Sequence, residues 1–300
     1  MTCAVHVSGL RYDYPDGRAA LRGIDLRVDH GERVAVLGPN GAGKTTLMLH
    51  LNGLLRGAGE LEVAGVVVGK PTLRELRARV GLVFQDSDDQ LFMPTVGEDV
   101  AFGPRNLGLD RPAVESRVRE ALAAVRMEHA AGRPPHGLSM GERRRVAIAT
   151  VLAMEPSLLV LDEPSASLDP RARRELLDVL ERLEQTLLLT THDLPLAAEF
   201  CERAIILAAG RVVADGSTDE ILADPALLAA HDLELPAGFD LSRIERRPRP
   251  YAAGLPPVAA ATAAWPKEIP PSLAGRRRGT STRSPAAVSP AAVRSSSRRF

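Results

Sequence analysis

RVAVLGPNGAGKTTLMLHLNGLL, residues 33–55, reads as a strand, a glycine loop and a helix in immediate succession. RVAVL (33–37) is a short apolar run suited to a strand buried within a sheet, and LMLHLNGLL (47–55) is helix-like. Between them GPNGAGKTT, Gly38 to Thr46, fits the pattern G-x-x-x-x-G-K-[ST]. The loop formed by Gly38, Pro39, Asn40, Gly41, Ala42 and Gly43 is the expected phosphate cradle, continued by Lys44, Thr45 and Thr46. Its glycines let backbone N–H groups turn inward around a β-phosphate, and the helix N-terminus adds a favourable partial positive charge. Lys44 is expected to reach β- and γ-oxygens and Thr45 to bind Mg²⁺. With 25 glycines and three lysines in 300 residues, chance supplies such a pattern about 0.002 times.

Working outward, LLVLDE (158–163) is a second buried-strand run that ends in paired acids. Acids at a strand end lie beside the phosphate site in this architecture. Asp162 is expected in the Mg²⁺ shell, and Glu163 is expected to polarise the attacking water. VGLVF leads to Gln85 and LLLTT leads to His192, each at the sheet edge where a parallel α/β fold presents its ligand. A lone Gln or His in such a place is usually structural. Their joint occurrence around one nucleotide motif points to sensing of the γ-phosphate or of water. Glu163, His192 and Gln85 are therefore the candidate catalytic residues.

Composition sets limits on this reading. The chain carries 38 Lys+Arg against 38 Asp+Glu and is 45% apolar, which excludes collagen-like and wholly disordered classes. Cys3 and Cys201 stand far apart with no C-x-x-C pair, so neither a disulfide framework nor a thiolate metal site is expected. MTCAVHVSGL has no basic segment followed by an apolar run, and the longest uncharged stretch, 250–266, is broken by four prolines, so neither a secretion signal nor a membrane span is expected. Residues 242–300 hold twelve basic and two acidic side chains and are rich in Pro, Ala and Ser, which predicts a disordered basic tail following an acidic body at 1–241. The seven histidines show no ligand-like cluster.

LSMGE (Leu138 to Glu142) runs straight into the apolar helix RRRVAIATVLAM, and SASLD (Ser165 to Asp169) follows LLVLDE. In the order glycine loop, Gln85, LSMGE, LLVLDE, SASLD and His192, across roughly residues 5–235, the chain resembles the ATP-binding subunits of ABC transporters. The resemblance implies an α/β P-loop NTPase fold with a RecA-like core, an N-terminal antiparallel β-subdomain and an α-helical subdomain inserted at about 91–150. It implies ATP and Mg²⁺ as ligands, with Thr45, Gln85 and Asp162 on the metal. It also implies a second ATPase subunit, identical or a close relative, bound head to tail so that each ATP lies between the P-loop of one subunit and the signature of the other. Ser139 and Gly141 would then contact the partner-bound γ-phosphate, Asp169 would couple the two sites, and Tyr14 would stack on adenine, with Tyr12 the alternative.

YPDG (14–17), VGLVFQDSDDQLF (80–92) and AHDLELP (230–236) narrow the resemblance to ATPases of energy-coupling-factor importers, in particular the cobalt and nickel type, vitamin importers being the alternative. FQDSDDQLF is the more selective stretch. This implies a transmembrane coupling subunit, a substrate-binding membrane component and a peripheral position on the cytoplasmic face of the membrane. Leu91, Phe92 and Met93 are expected either in the core or against a helix of the coupling subunit. One departure stands out: Met140 occupies a position where the family usually has glycine, and Glu142 replaces the commoner Gln. A soluble ABC ATPase of translation or DNA repair fits less well, since there is one cassette and no sustained heptad run. A nucleic-acid partner is not expected, because Tyr251, Trp265 and Phe300 are too widely separated to form a stacking platform.

Overall fold

A computed structural model of the chain describes residues 3–247. Its strands in chain order are β1 (Val5–Asp13), β2 (Ala19–Val28), β3 (Arg33–Leu37), β4 (Ala58–Val63), β5 (Val66–Val67), β6 (Val80–Val83), β7 (Leu158–Asp162), β8 (Thr186–Thr190), β9 (Arg203–Ala208) and β10 (Arg211–Ser217). The helices are α1 (Lys44–Leu51), α2 (Leu73–Arg79), α3 (Val96–Leu107), α4 (Arg111–Ala124), α5 (Met140–Leu152), α6 (Pro170–Glu181), α7 (Leu194–Phe200), α8 (Thr218–Leu222) and α9 (Pro225–Ala230).

Two sheets result. β2-β1-β4-β5 is wholly antiparallel and forms the N-terminal β-subdomain. The other has the order β10-β9-β3-β8-β7-β6, parallel except for the β10–β9 pair at one edge. RVAVL, TLLLT and LLVLD occupy its centre and are buried on both faces, as continuous apolar runs in a parallel sheet must be. Successive residues feed opposite cores: Ala35, Leu37, Leu159 and Leu161 pack with the helices α3 to α7, whereas Val34, Val36, Leu158 and Val160 pack with β1, β2 and α1. This is the α/β architecture that the resemblance implies.

α3, α4 and α5 pack on one another and form the inserted helical layer. Thr95 caps α3 by accepting the Glu98 N–H, and Asp110 caps α4 by accepting the Ala113 N–H. Within this layer the buried Asp99 carboxylate accepts the N–H groups of Phe92 and Met93, both at 3.0 Å, and burial pushes its carboxyl above the ordinary range. Leu91 joins the core while Phe92 is exposed and meets Phe102 edge to face at 5.0 Å.

Packing continues past residue 241. Ile244 lies against the core, Arg246 donates to Asp219 at 2.6 Å, and Arg247 donates to Asp178 at 2.6 Å and to Glu181 at 3.1 Å. Composition counts Arg246 and Arg247 as tail but cannot see the carboxylates of α8 and α6 that receive them. The remainder of the expected tail lies outside the described residues. Among the described residues no helix is long and apolar enough to cross a membrane.

Candidate nucleotide site

The loop after β3 is shaped by contact with β9. Gly38 has φ +144, and a Cβ there would lie 2.1 Å from the Leu207 carbonyl oxygen, so only glycine lets the chain pass. Lys44 opens α1 and is buried; its Nζ donates to the carbonyls of Gly38 at 2.7 Å and Pro39 at 3.2 Å and lies 3.9 Å from Glu163 Oε1. Burial lowers the pKa of this ammonium, and the negative charges of Glu163 and Asp162 oppose that shift.

β7 delivers Asp162 and Glu163 beside it, and β8 fixes them. Thr190, the register partner of Asp162, donates its hydroxyl to Asp162 Oδ1 at 2.5 Å and accepts the Glu163 N–H at 3.0 Å. Glu163 itself bends into the left-handed region, φ 45, and its Oε2 lies 2.9 Å from His192 Nδ1. A cavity of about 250 Å³ is lined by residues 40–46 together with Gln85, Asp162, Glu163 and His192. Tyr14 and Arg18 line it as well. Tyr14 is held by a 2.9 Å hydrogen bond between its hydroxyl and that of Thr46, with the Arg18 guanidinium 4.8 Å over its ring. Tyr12 packs instead against the core and the edge of buried His50, 4.9 Å away. Thr45, Gln85 and Asp162 bring a hydroxyl, an amide oxygen and a carboxylate to one wall, a hard-oxygen set that fits Mg²⁺.

Five candidate residues do not line this cavity: Gly38 and Pro39, whose carbonyls accept from Lys44 Nζ, and Ser139, Gly141 and Asp169, which stand elsewhere. Ser139 caps α5 reciprocally with Glu142, its N–H donating to Glu142 Oε2 at 2.8 Å, which holds that carboxyl below its usual range. Asp169 caps α6 by accepting the N–H groups of Arg171 and Ala172. The starts of α5 and α6 lie side by side, since a Cβ on Gly141 would sit 2.7 Å from Ala172 Cβ. Ser139 and Asp169 are both exposed, and so is Met140.

Residues 21–166 match the family described as ABC transporter. Over 238 residues the chain is 61% identical to a protein of Streptomyces avermitilis that carries the name of an ABC transporter ATP-binding protein, covering 79% of this chain and 91% of the relative. The chain belongs to the ATP-binding subunits of ABC transporters. This ABC ATPase is also 49% identical over 243 residues to the energy-coupling factor transporter ATP-binding protein EcfA of Methanothermobacter thermautotrophicus, covering 79% of this chain and 78% of that one. Among solved structures it resembles CbiO1 of Clostridium perfringens, described as part of the ABC transporter complex CbiONQ. The TM-score is 0.69 at 37% identity, over 79% of this chain and 97% of that one.

The sequence of this ABC ATPase assigns no role to Thr190, Arg18 or Arg144, nor to Gln90, although Gln90 lies in the selective stretch FQDSDDQLF. Thr190 had a signal, because a hydroxyl ending TLLLT faces the acid ending LLVLD once the two strands are paired. Arg18 and Arg144 had none, being two arginines among many.

Proposed function

We propose that this ABC ATPase powers an energy-coupling-factor importer, acting in a dimer that clamps ATP between the Lys44 loop of one subunit and the Ser139 segment of the other. The observation that carries the reading is the split of the site. Phosphate, metal and water groups share one cavity, whereas Ser139 and Asp169 stand exposed off it, at adjoining helix starts. The likeness to EcfA and CbiO1 and the stretch FQDSDDQLF support the importer class, within which cobalt or nickel is the cargo proposed and a vitamin the alternative. The partners are a second ATPase subunit, a transmembrane coupling subunit docking at exposed Phe92 and Phe102, and a membrane component that captures the cargo, all at the cytoplasmic face of the membrane.

Chemistry follows from positions. Tyr14 offers a stacking face for adenine, and the residue 38–46 loop with Lys44 takes the phosphate charge. Thr45, Asp162 and Gln85 would hold Mg²⁺, which supplies charge neutralisation on the β- and γ-oxygens. Glu163, aligned by Thr190 and His192, accepts hydrogen-bonding from the attacking water. His192 and Gln85 report the γ-phosphate to the rest of the subunit. Across the dimer, Ser139 and Gly141 complete the partner's site and Asp169 links the two. Binding closes the clamp and hydrolysis reopens it, so each cycle moves the surface on which the coupling subunit docks.

The test is Glu163→Gln, which keeps shape and removes the carboxylate. Turnover should fall about 100- to 10,000-fold while MgATP traps a dimer on size-exclusion chromatography. Unchanged turnover removes Glu163 from its role, and a chain that stays monomeric in saturating MgATP refutes the clamp. Co-expression with the membrane subunits and uptake of radioactive cobalt or nickel against a vitamin then decides the cargo.

A further inference from the structure

Arg144 is 3% exposed, although guanidinium groups are rarely buried without a carboxylate bonded to them. Its Nη1 donates to the Phe84 carbonyl at 2.7 Å and its Nη2 to the Gln85 carbonyl at 2.5 Å, while Nε has no partner among the described residues. Burial lowers its pKa, against the more distant charges of Asp86 and Asp162. A desolvated cation spent on two consecutive carbonyls is a fork used for geometry.

The two carbonyls matter because of where they lie. β6 stops at Val83, and the peptides beyond it are held by α5. The Phe84 N–H donates to Gln90 Oε1 at 3.2 Å, and Gln90 Nε2 donates in turn to the Ala147 carbonyl at 2.8 Å and the Thr150 hydroxyl at 2.7 Å, both on α5. Gln85 then enters the nucleotide cavity, and Arg144 borders an adjoining cavity that shares Thr45, Gln85 and Asp162 with it. Along α5, Arg144 lies five residues from the cap Ser139, about 7.5 Å at the helical rise.

We propose that Arg144 is a positioning residue that fixes Gln85 in the nucleotide cavity to the helix beginning at Ser139. Gln85 at one site and the Ser139 segment facing the other site therefore shift as one piece. The inter-site part of this statement rests on the clamp proposed above; the tie between Arg144 and Gln85 does not. Gln90, the last residue of DSDDQ, is the second fastening of the same buckle.

The full chain carrying Arg144→Met, Gln85→Ala or both is assayed for ATP hydrolysis against ATP and against Mg²⁺. Arg144→Met should lower kcat at least about tenfold, roughly the effect of 1.4 kcal/mol on the barrier, and raise the Mg²⁺ concentration for half-maximal rate. Arg144→Lys, which reaches one carbonyl, should recover part of the loss. If Arg144 acts through Gln85, the double variant is no slower than Gln85→Ala alone. A double variant whose defects multiply, with an unchanged Mg²⁺ requirement, assigns Arg144 a purely structural role and overturns the inference. Should Arg144→Met fail to fold, Arg144→Gln goes through the same cycle. A monomeric Glu163→Gln in MgATP refutes the clamp and the inter-site part, while the cycle still decides the Arg144–Gln85 tie.

Discussion

Substituting Gly141 by alanine sets a packing limit against a chemical one. The added Cβ would stand 2.7 Å from Ala172 Cβ, where ordinary contact begins at 3.4 Å, so the starts of α5 and α6 must part by at least about 0.7 Å. Neither atom belongs to a flexible side chain, and the Arg145–Glu175 ion pair holds the same two helices together. Overpacking of this kind costs about 1–3 kcal/mol, and the better helix propensity of alanine returns up to about 1 kcal/mol. A net loss of about 1–2 kcal/mol corresponds to a Tm lower by about 2–8 °C for a body of this size. Displacing the Ser139 cap by most of an ångström should also cut ATP hydrolysis by about a hundredfold. The double variant Gly141→Ala with Ala172→Gly exchanges the methyl groups, so its Tm should return to within about 2 °C of the parent. Differential scanning calorimetry reads the stability and a phosphate-release assay the rate. Activity that returns with the Tm makes Gly141 a packing glycine alone; activity that stays low shows that its backbone also faces nucleotide. A single variant as stable as the parent, or a double no better than the single, refutes the steric reasoning.

The buried Asp99 carboxyl has its pKa raised above 3.8 in the fold, so its contribution to stability is fully present below the unfolded-state value and is lost as pH rises through the folded one. Relative to Asp99→Asn, the parent should therefore lose stability as pH rises from about 4 in urea titrations, and parallel profiles would contradict this. Compared with truncation after residue 247, truncation after 241 removes Ile244 and the pairs of Arg246 and Arg247 and should cost about 1–2 kcal/mol after discounting for solvent screening. Equal melting curves for the two truncations would show that those contacts contribute nothing.

The centre of the fold was legible because its signals are local. RVAVL, LLVLD and TLLLT are continuous apolar runs, and a chain can bury both faces of such a strand only in the middle of a parallel sheet. The residues that follow their C-terminal ends, with Gln85 after β6, then fall together by topology, which is why Lys44, Asp162, Glu163, Gln85 and His192 line one cavity. What stayed hidden depends on tertiary partners. Whether Tyr12 or Tyr14 lines the cavity turns on where β1 ends: Tyr12 lies within the strand beside His50, and Tyr14 follows its last residue. Leu91 and Phe92 look alike in sequence, yet one is buried in the helical layer and the other exposed beside Phe102. Arg144 reads as a surface charge in RRR until α5 is docked against Phe84 and Gln85, and Arg247 reads as tail until α6 supplies Asp178 and Glu181.

The left-handed turn at Glu163 sets durability against turnover at one position. A non-glycine residue held at φ 45 carries a conformational cost, here maintained by the Thr190 hydroxyl on its N–H and by His192 on its carboxylate. Glycine would relax that cost and harden the fold, and it would also delete the carboxylate proposed to align water. On the proposed role of Glu163, selection for heat resistance alone would drift toward a sturdier but silent subunit, and the strained glutamate would persist only where hydrolysis is continually demanded.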